Sequence, residues 1–255
     1  FDEHRSPRRR RRRRGFGRER IGVGQEQSLR IEPLEAILVI APNVPETLSY
    51  RAYGVVGAEA ERDITEYVQF AIGNPALGVF IGNEFNTTSA QGGVSEVLAT
   101  VGPYRVSTSL TLRLGLEVEV EDPSQPLPDE PAEAFTGSVD PGLAPRIVYP
   151  NDGVMLPPNV AQLEVHWRPA DTTGLFELAF VGPSLEARVY TRCTQPTDGG
   201  CIYKLDPNTY RFVATSVAGT GPLQLTVRGS NEAGSYGVSG SIVVEFAEQP
   251  VEGAV

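Results

Sequence analysis

Leu223-Gln224-Leu225-Thr226-Val227-Arg228, then Asn231-Glu232-Ala233-Gly234, then Ser241-Ile242-Val243-Val244-Glu245-Phe246 decide the fold. Leu223, Leu225 and Val227 point one way and Gln224, Thr226 and Arg228 the other, the two-residue period of a half-buried strand. Asn231 to Gly234 supplies a turn, and residues 241–246 are the returning strand. The segment therefore reads as a β-hairpin with one dry face.

Working outward, the same pattern recurs. Pro145 to Pro150 opens a second half, Asn151-Asp152-Gly153 makes a turn, and Leu163, Val165 and Trp167 alternate with Glu164 and His166. Leu175 to Val181 and Ala187 to Tyr190 follow, with Tyr149, Phe176, Phe180 and Tyr190 expected in the core. Asp206-Pro207-Asn208 departs from this pattern: Asp206 suits an N-cap and Pro207 a first helical position. Tyr210, Val213 and Val217 recur at helical spacing, so a short helix is expected over 207–217.

A proline-rich opening, a lone Trp167 and the hairpin at Asn231–Gly234 together resemble a fibronectin type III domain over 145–248. The usual tyrosine ahead of the hairpin is missing, with Leu223 or Leu225 near its slot. The resemblance implies a β-sandwich that holds, spaces or presents something rather than catalysing a reaction. The helix with Cys193 and Cys201 before it is similar to the N-terminal modules of large myxobacterial-type surface proteins, where a propeller often follows. Phe1 is an improbable natural start and the chain stops at Glu252-Gly253-Ala254-Val255, so a piece of something longer is expected.

The first half, 28–120, alternates through Leu29–Glu32, Thr47–Tyr53, Tyr67–Phe70, Val97–Val101 and Ser107–Leu116, where Leu110, Leu112 and Leu114 share a face. Tyr50 and Tyr53 have opposite parity, so one of them must face solvent. About seven strands in about 90 residues argue for a sandwich. Ile72-Gly73-Asn74-Pro75 followed by Ala76 to Phe80, and Gln91-Gly92-Gly93 followed by Val94 to Ala99, resemble a bacterial immunoglobulin-like domain of group 2. Phe70 stands where that family usually has Trp.

Between the halves, residues 121–144 carry prolines at 123, 126, 128, 131 and 141 among six acids. They read as a semi-extended, self-repelling linker that leaves the two sandwiches as beads on a string. Residues 249–255 form a C-terminal stub. Fold class is thus all-β: two immunoglobulin-like sandwiches, a Pro/acid-rich linker and one helix. Gly 27 and Pro 21 together approach a fifth of the chain, as many short strands joined by turns require.

Basic residues are 21 Arg and one Lys, Lys204, a bias expected of a GC-rich bacterial genome more than of any chemistry. Residues 1–20 hold ten Arg against Asp2, Glu3 and Glu19, a net of +7, so the rest carries −17 to reach the whole-chain −10. An acidic body repels nucleic acid. Residues 1–27, with Arg8, Arg9, Arg10, Arg11, Arg12, Arg13 and Arg14 in one run, read as a disordered tail. Two roles stay open for that run: a solvated spacer, or a contact with a polyanion or with the acidic body of another copy.

Catalytic signals are missing. His166 and the tail residue His4 are the two histidines, no Gly-x-Ser-x-Gly elbow exists, and the carboxylates Asp152, Asp171, Glu177 and Glu186 are scattered. No cofactor loop, calcium loop or metal set is legible; Asn86-Thr87-Thr88 is a glycosylation sequon by letter only. Cys193 and Cys201 flank a turn-rich loop, and an even count in a chain that reads as exported predicts a disulfide. No stretch of 18 apolar residues occurs.

The expected role is a non-enzymatic extracellular or cell-surface spacer and adhesion-type binding module. Its partners would be a surface protein, a glycan or further copies of itself. The rivals are the subunit of a surface filament or sheath, assembled through the basic tail, and accessory domains for an active or propeller domain downstream.

Overall fold

The computed structural model describes residues 26–56, 60–193 and 199–252. Strands with one apolar face must stack that face on another sheet, and each half of the chain does so. The first half has β1 (Glu26–Glu32), β2 (Ala36–Ile40), β3 (Thr47–Ser49), β4 (Arg51–Val56), β5 (Arg62–Asp63), β6 (Gln69–Ile72), β7 (Gly78–Ile81), β8 (Glu84–Thr87), β9 (Gly93–Val101) and β10 (Tyr104–Glu119). β3 and β4 are one run parted at Tyr50; β3 pairs with β8, which pairs in turn with β7, and β4 pairs with β1 and β5. The opposing sheet is β2-β10-β9-β6, with β2 parallel to β10.

Parity is settled in favour of Tyr50, which is fully buried, while Tyr53 is half-buried under the Arg30 guanidinium at 4.5 Å. Tyr50 packs on Phe80 (5.5 Å between ring centres) and on Phe70 (6.3 Å). Its hydroxyl has no hydrogen-bond partner among the described residues, and burial pushes its pKa up to about 12. A buried hydroxyl without a partner is destabilising, so Tyr50→Phe should raise stability by about 1 kcal/mol. The urea midpoint measures this; a midpoint that falls would show that the hydroxyl has a partner.

The second half has β11 (Ser138–Val139), β12 (Arg146–Tyr149), β13 (Val154–Leu156), β14 (Glu164–Arg168), β15 (Leu175–Val181), β16 (Leu185–Arg192), β17 (Cys201–Lys204), α1 (Pro207–Val217), β18 (Leu223–Ser230), β19 (Ser235–Val238) and β20 (Ile242–Phe246). Sheet β12-β14-β17 faces sheet β16-β15-β18, which β19 and β20 complete, and β13 adds parallel to β20. Leu163, Val165 and Trp167 on one layer meet Phe176, Phe180, Leu223, Leu225 and Val227 on the other, all buried, with Trp167 5.3 Å from Phe176. Tyr149 does not join them: it is exposed, beside His166.

The strand returning from the Asn231–Gly234 turn starts earlier than its alternation suggests and comes in two pieces. β19 pairs with Arg228–Ser230 and β20 with Leu223–Leu225. Between the two pieces the Ser239 hydroxyl accepts the Val227 N–H at 2.9 Å.

The helix spans 207–217, as the capping residues predict. Asp206 accepts from the Asn208 and Thr209 amides (2.9 and 3.1 Å), while Tyr210, Val213 and Val217 are buried. Hydrogen bonding, first from the Thr209 side chain and then from these amides, holds the Asp206 carboxyl below the usual carboxylate range. Asp206→Ala should cost about 1 kcal/mol at neutral pH. Because the folded pKa is lowered, this contribution is complete above the unfolded value of about 3.9 and fades as pH falls through the folded one. Denaturant titrations of both chains should converge in acid; a pH-independent gap would refute the cap.

Residues 121–144 are not the semi-extended spacer that their composition suggests. Pro131–Phe135 and Pro141–Leu143 form 3-10 turns, β11 pairs parallel with β19, and Phe135 and Leu143 are buried. Phe135, with Leu127 and Ala134 beside it, packs on Leu175, Tyr190 and Tyr236. This segment covers the outer face of β15, β16, β18 and β19. Gly137 and Gly237 permit the approach: a Cβ on Gly237 would lie 2.2 Å from the Ala144 nitrogen, and one on Gly137 2.1 Å from the Gly234 oxygen.

Candidate binding surfaces

The two sandwiches meet through one strand. β10 pairs with β9 along Tyr104–Leu112 and then, in parallel, with β16 along Leu114–Glu119. Leu110 to Leu114 also pair with β2, so β2 lies on one side of β10 while β9 and β16 share the other. β9 and β16 therefore run away from each other, and the residues just before them, Gly92 and Ser184, meet head on. The expected beads on a string give way to a continuous sheet, because β10 keeps its alternation beyond the first core and finds the open edge of the second.

The junction is tight. Leu114 N–H donates to the Ser184 carbonyl (2.9 Å), and Arg113 donates to the Gly182 carbonyl (2.9 Å) and pairs with Glu186 (3.3 Å). A Cβ on Gly92 would sit 2.0 Å from the Ser184 oxygen, so only glycine fits. The buried Ser184 hydroxyl donates to the Ser216 carbonyl (2.6 Å) and lies 2.7 Å from the Thr220 hydroxyl, which ties the seam to the end of α1. Beside it opens a cleft of about 460 Å³ with walls from both sandwiches.

A second cluster lies under the 121–144 cover. Glu177, fully buried on the outward side of β15, stands opposite Arg228 of β18. Its carboxylate accepts Arg228 Nε (2.7 Å) and Arg228 Nη2 on one side and Arg188 Nη1 (2.8 Å) on the other. Arg188 also binds Glu186 (2.6 Å). The Arg228 guanidinium donates to the Phe135 carbonyl (3.2 Å) and lies near the rings of Phe135 (5.0 Å) and Tyr236 (5.3 Å). Burial first, and then the Glu177 charge, push the Tyr190 hydroxyl pKa up. Glu177 and Glu186, scattered in sequence, are thus gathered here; only the cross-strand register reveals it.

Cys193 and Cys201 are joined in a disulfide, with 5.1 Å between Cα atoms. Closing so short a loop contributes about 2–3 kcal/mol. Reduction, or the Cys193→Ser/Cys201→Ser double variant, should lower stability by that amount; an unchanged urea midpoint would contradict it. Arg8 to Arg14 lie outside the described residues. His166 sits half-exposed on β14, 3.1 Å from Glu164 and beside the Tyr149 ring (5.2 Å), on a sheet face. Among the described residues no group of three or more His, Cys, Asp and Glu side chains could hold a metal ion, and no helix is long and apolar enough to cross a membrane.

No protein-family model matches the chain, and no curated protein matches it in sequence. Solved structures align over most of it at low identity. The titin Ig tandem covers 86% of this chain and 96% of its own, at 13% identity and TM-score 0.26. The D00–D0 domain of intimin covers 85% and 99%, at 9% identity and TM-score 0.25. Domains 5–6 of the S-layer protein SbsC cover 87% and 98%, at 7% identity and TM-score 0.26. At these scores the all-β sandwich reading rests on the strand pairing of the chain itself.

Proposed function

We propose that this chain is a non-enzymatic, rigid two-sandwich spacer that presents binding surfaces outside the cell, with units at 28–120 and 145–248. The observation that carries this reading is β10, a strand of 16 residues that belongs to both sandwiches. A shared strand removes the hinge that a flexible linker would leave, so spacing and orientation are set by hydrogen bonds. The disulfide supports an oxidising compartment. Small-angle scattering tests the reading: one rigid particle should fit the curve, with a maximum dimension independent of salt. A curve that needs an ensemble of separated beads would overturn it.

The division of charge, +7 in residues 1–20 against −17 beyond, supports a second role, assembly of copies through Arg8 to Arg14. Sedimentation at rising ionic strength separates the roles, because tail-driven assembly should dissolve as charges are screened. A particle that stays monomeric at low salt would remove the assembly reading.

A further inference from the structure

We propose that the cleft at the seam between the sandwiches binds a neutral glycan. This rests on the spacer reading and names the chemistry it would present. Asn43 and Gln91 enter from the first sandwich; Phe212, Thr215 and Thr220 enter from the second. None of the residues lining the cleft is ionisable, in a body that carries −17 beyond residue 20. An ionic ligand would find no counter-charge here.

The polar groups suit sugar hydroxyls instead. Carboxamides and hydroxyls both donate and accept, as each sugar hydroxyl does, whereas an ammonium only donates and a carboxylate only accepts. The Asn43 and Gln91 carboxamides are exposed and have no hydrogen-bond partner among the described residues. The Thr215 hydroxyl spends its proton on the Arg211 carbonyl (2.8 Å) and keeps its lone pairs as acceptors. The half-buried Phe212 ring offers an apolar face for the C–H side of a pyranose.

Shape agrees with chemistry. About 460 Å³ falls within the usual range for ligand clefts and admits a short oligosaccharide. The walls are held before any ligand arrives: Leu114 N–H binds the Ser184 carbonyl, and Asn43 N–H binds the Ser89 carbonyl at 3.0 Å. Asn43 (φ 62°) and Ser89 (φ 53°) both hold left-handed backbone at this edge. Such preorganisation lowers the entropy lost on binding.

The test is a panel of immobilised neutral oligosaccharides (glucose, mannose, galactose and N-acetylglucosamine types), with sulfated and sialylated glycans as comparators, probed with the whole chain. At least one neutral class should be retained, with retention unchanged in high salt. Asn43→Gly, which removes the carboxamide but suits the left-handed backbone at φ 62°, and Gln91→Ala, both at exposed positions, should weaken it about tenfold with little change in thermal midpoint. Phe212→Leu keeps an apolar side chain and should also weaken binding. The proposal fails if no neutral glycan is retained, if all three variants bind like the parent, or if only anionic glycans are held and salt releases them. Scattering keeps the two readings apart: a rigid particle with an empty cleft sinks the glycan alone, and a flexible particle sinks the spacer.

Discussion

Replacing Gly92 with valine should part the two sandwiches while leaving each folded. A Cβ at this position would lie 2.0 Å from the Ser184 oxygen and 2.7 Å from the Leu112 oxygen. Both obstacles are backbone, so no rotamer change relieves them, and the chain must move. One route shifts β9 off β10, a ladder that runs from Tyr104 to Leu112; the other opens the shorter ladder of β16 on Leu114–Glu119. The shorter ladder should yield. Losing several of its hydrogen bonds, each worth about 0.5–1.5 kcal/mol net, amounts to a cost on the order of 3 kcal/mol. Scattering should show a longer, more variable particle, and a single unfolding transition should split in two. Gly92→Ala should show the same effect in weaker form. A valine variant with the parent's scattering curve and one transition would mean that the seam does not depend on this close approach.

How much of this was legible follows from what a period can encode. Alternation at Leu163–Trp167, Ser107–Leu116 and Leu223–Arg228 marks strands and their dry faces, and Asp206-Pro207 marks the helix start, because those signals are local. Alternation says nothing of which edge a strand meets. Leu116, Val118 and Val120 continue the period of β10 against Glu117 and Glu119, yet the partner strand begins some 70 residues later at Leu185. Residues 121–144 misled for a different reason. Their prolines and acids dominate the composition, while the apolar groups that anchor the segment, Leu127, Phe135 and Leu143, are too widely spaced to set a period. The cleft was equally hidden, since Asn43, Gln91 and Phe212 come together only once the seam has formed.

Removing the Glu177 carboxylate should cost more than any other single polar change in the second sandwich. Glu177→Ala leaves Arg188 and Arg228 facing each other across β15, and Arg228 is held beneath Phe135 and Tyr236, where water reaches it poorly. Breaking a buried ion pair by deleting one partner typically costs about 3–5 kcal/mol, because the remaining charge is uncompensated. The loss should be local at first. The 121–144 cover is held by the Arg228 bond to the Phe135 carbonyl and by ring contacts around that guanidinium, so limited proteolysis should cut near residues 127–137 before the sandwich unfolds. Glu177→Gln keeps the shape but replaces an acceptor with a donor facing guanidinium donors, and should recover little. The companion Glu177→Leu/Arg228→Met should be milder than Glu177→Ala, since it removes the uncompensated charge along with its partner. If the single variant keeps the parent's urea midpoint and protease resistance, the cluster does not hold the cover. If the double variant is the worse of the two, the cover is held by the Arg228 contacts themselves and not by neutralisation of charge at Glu177.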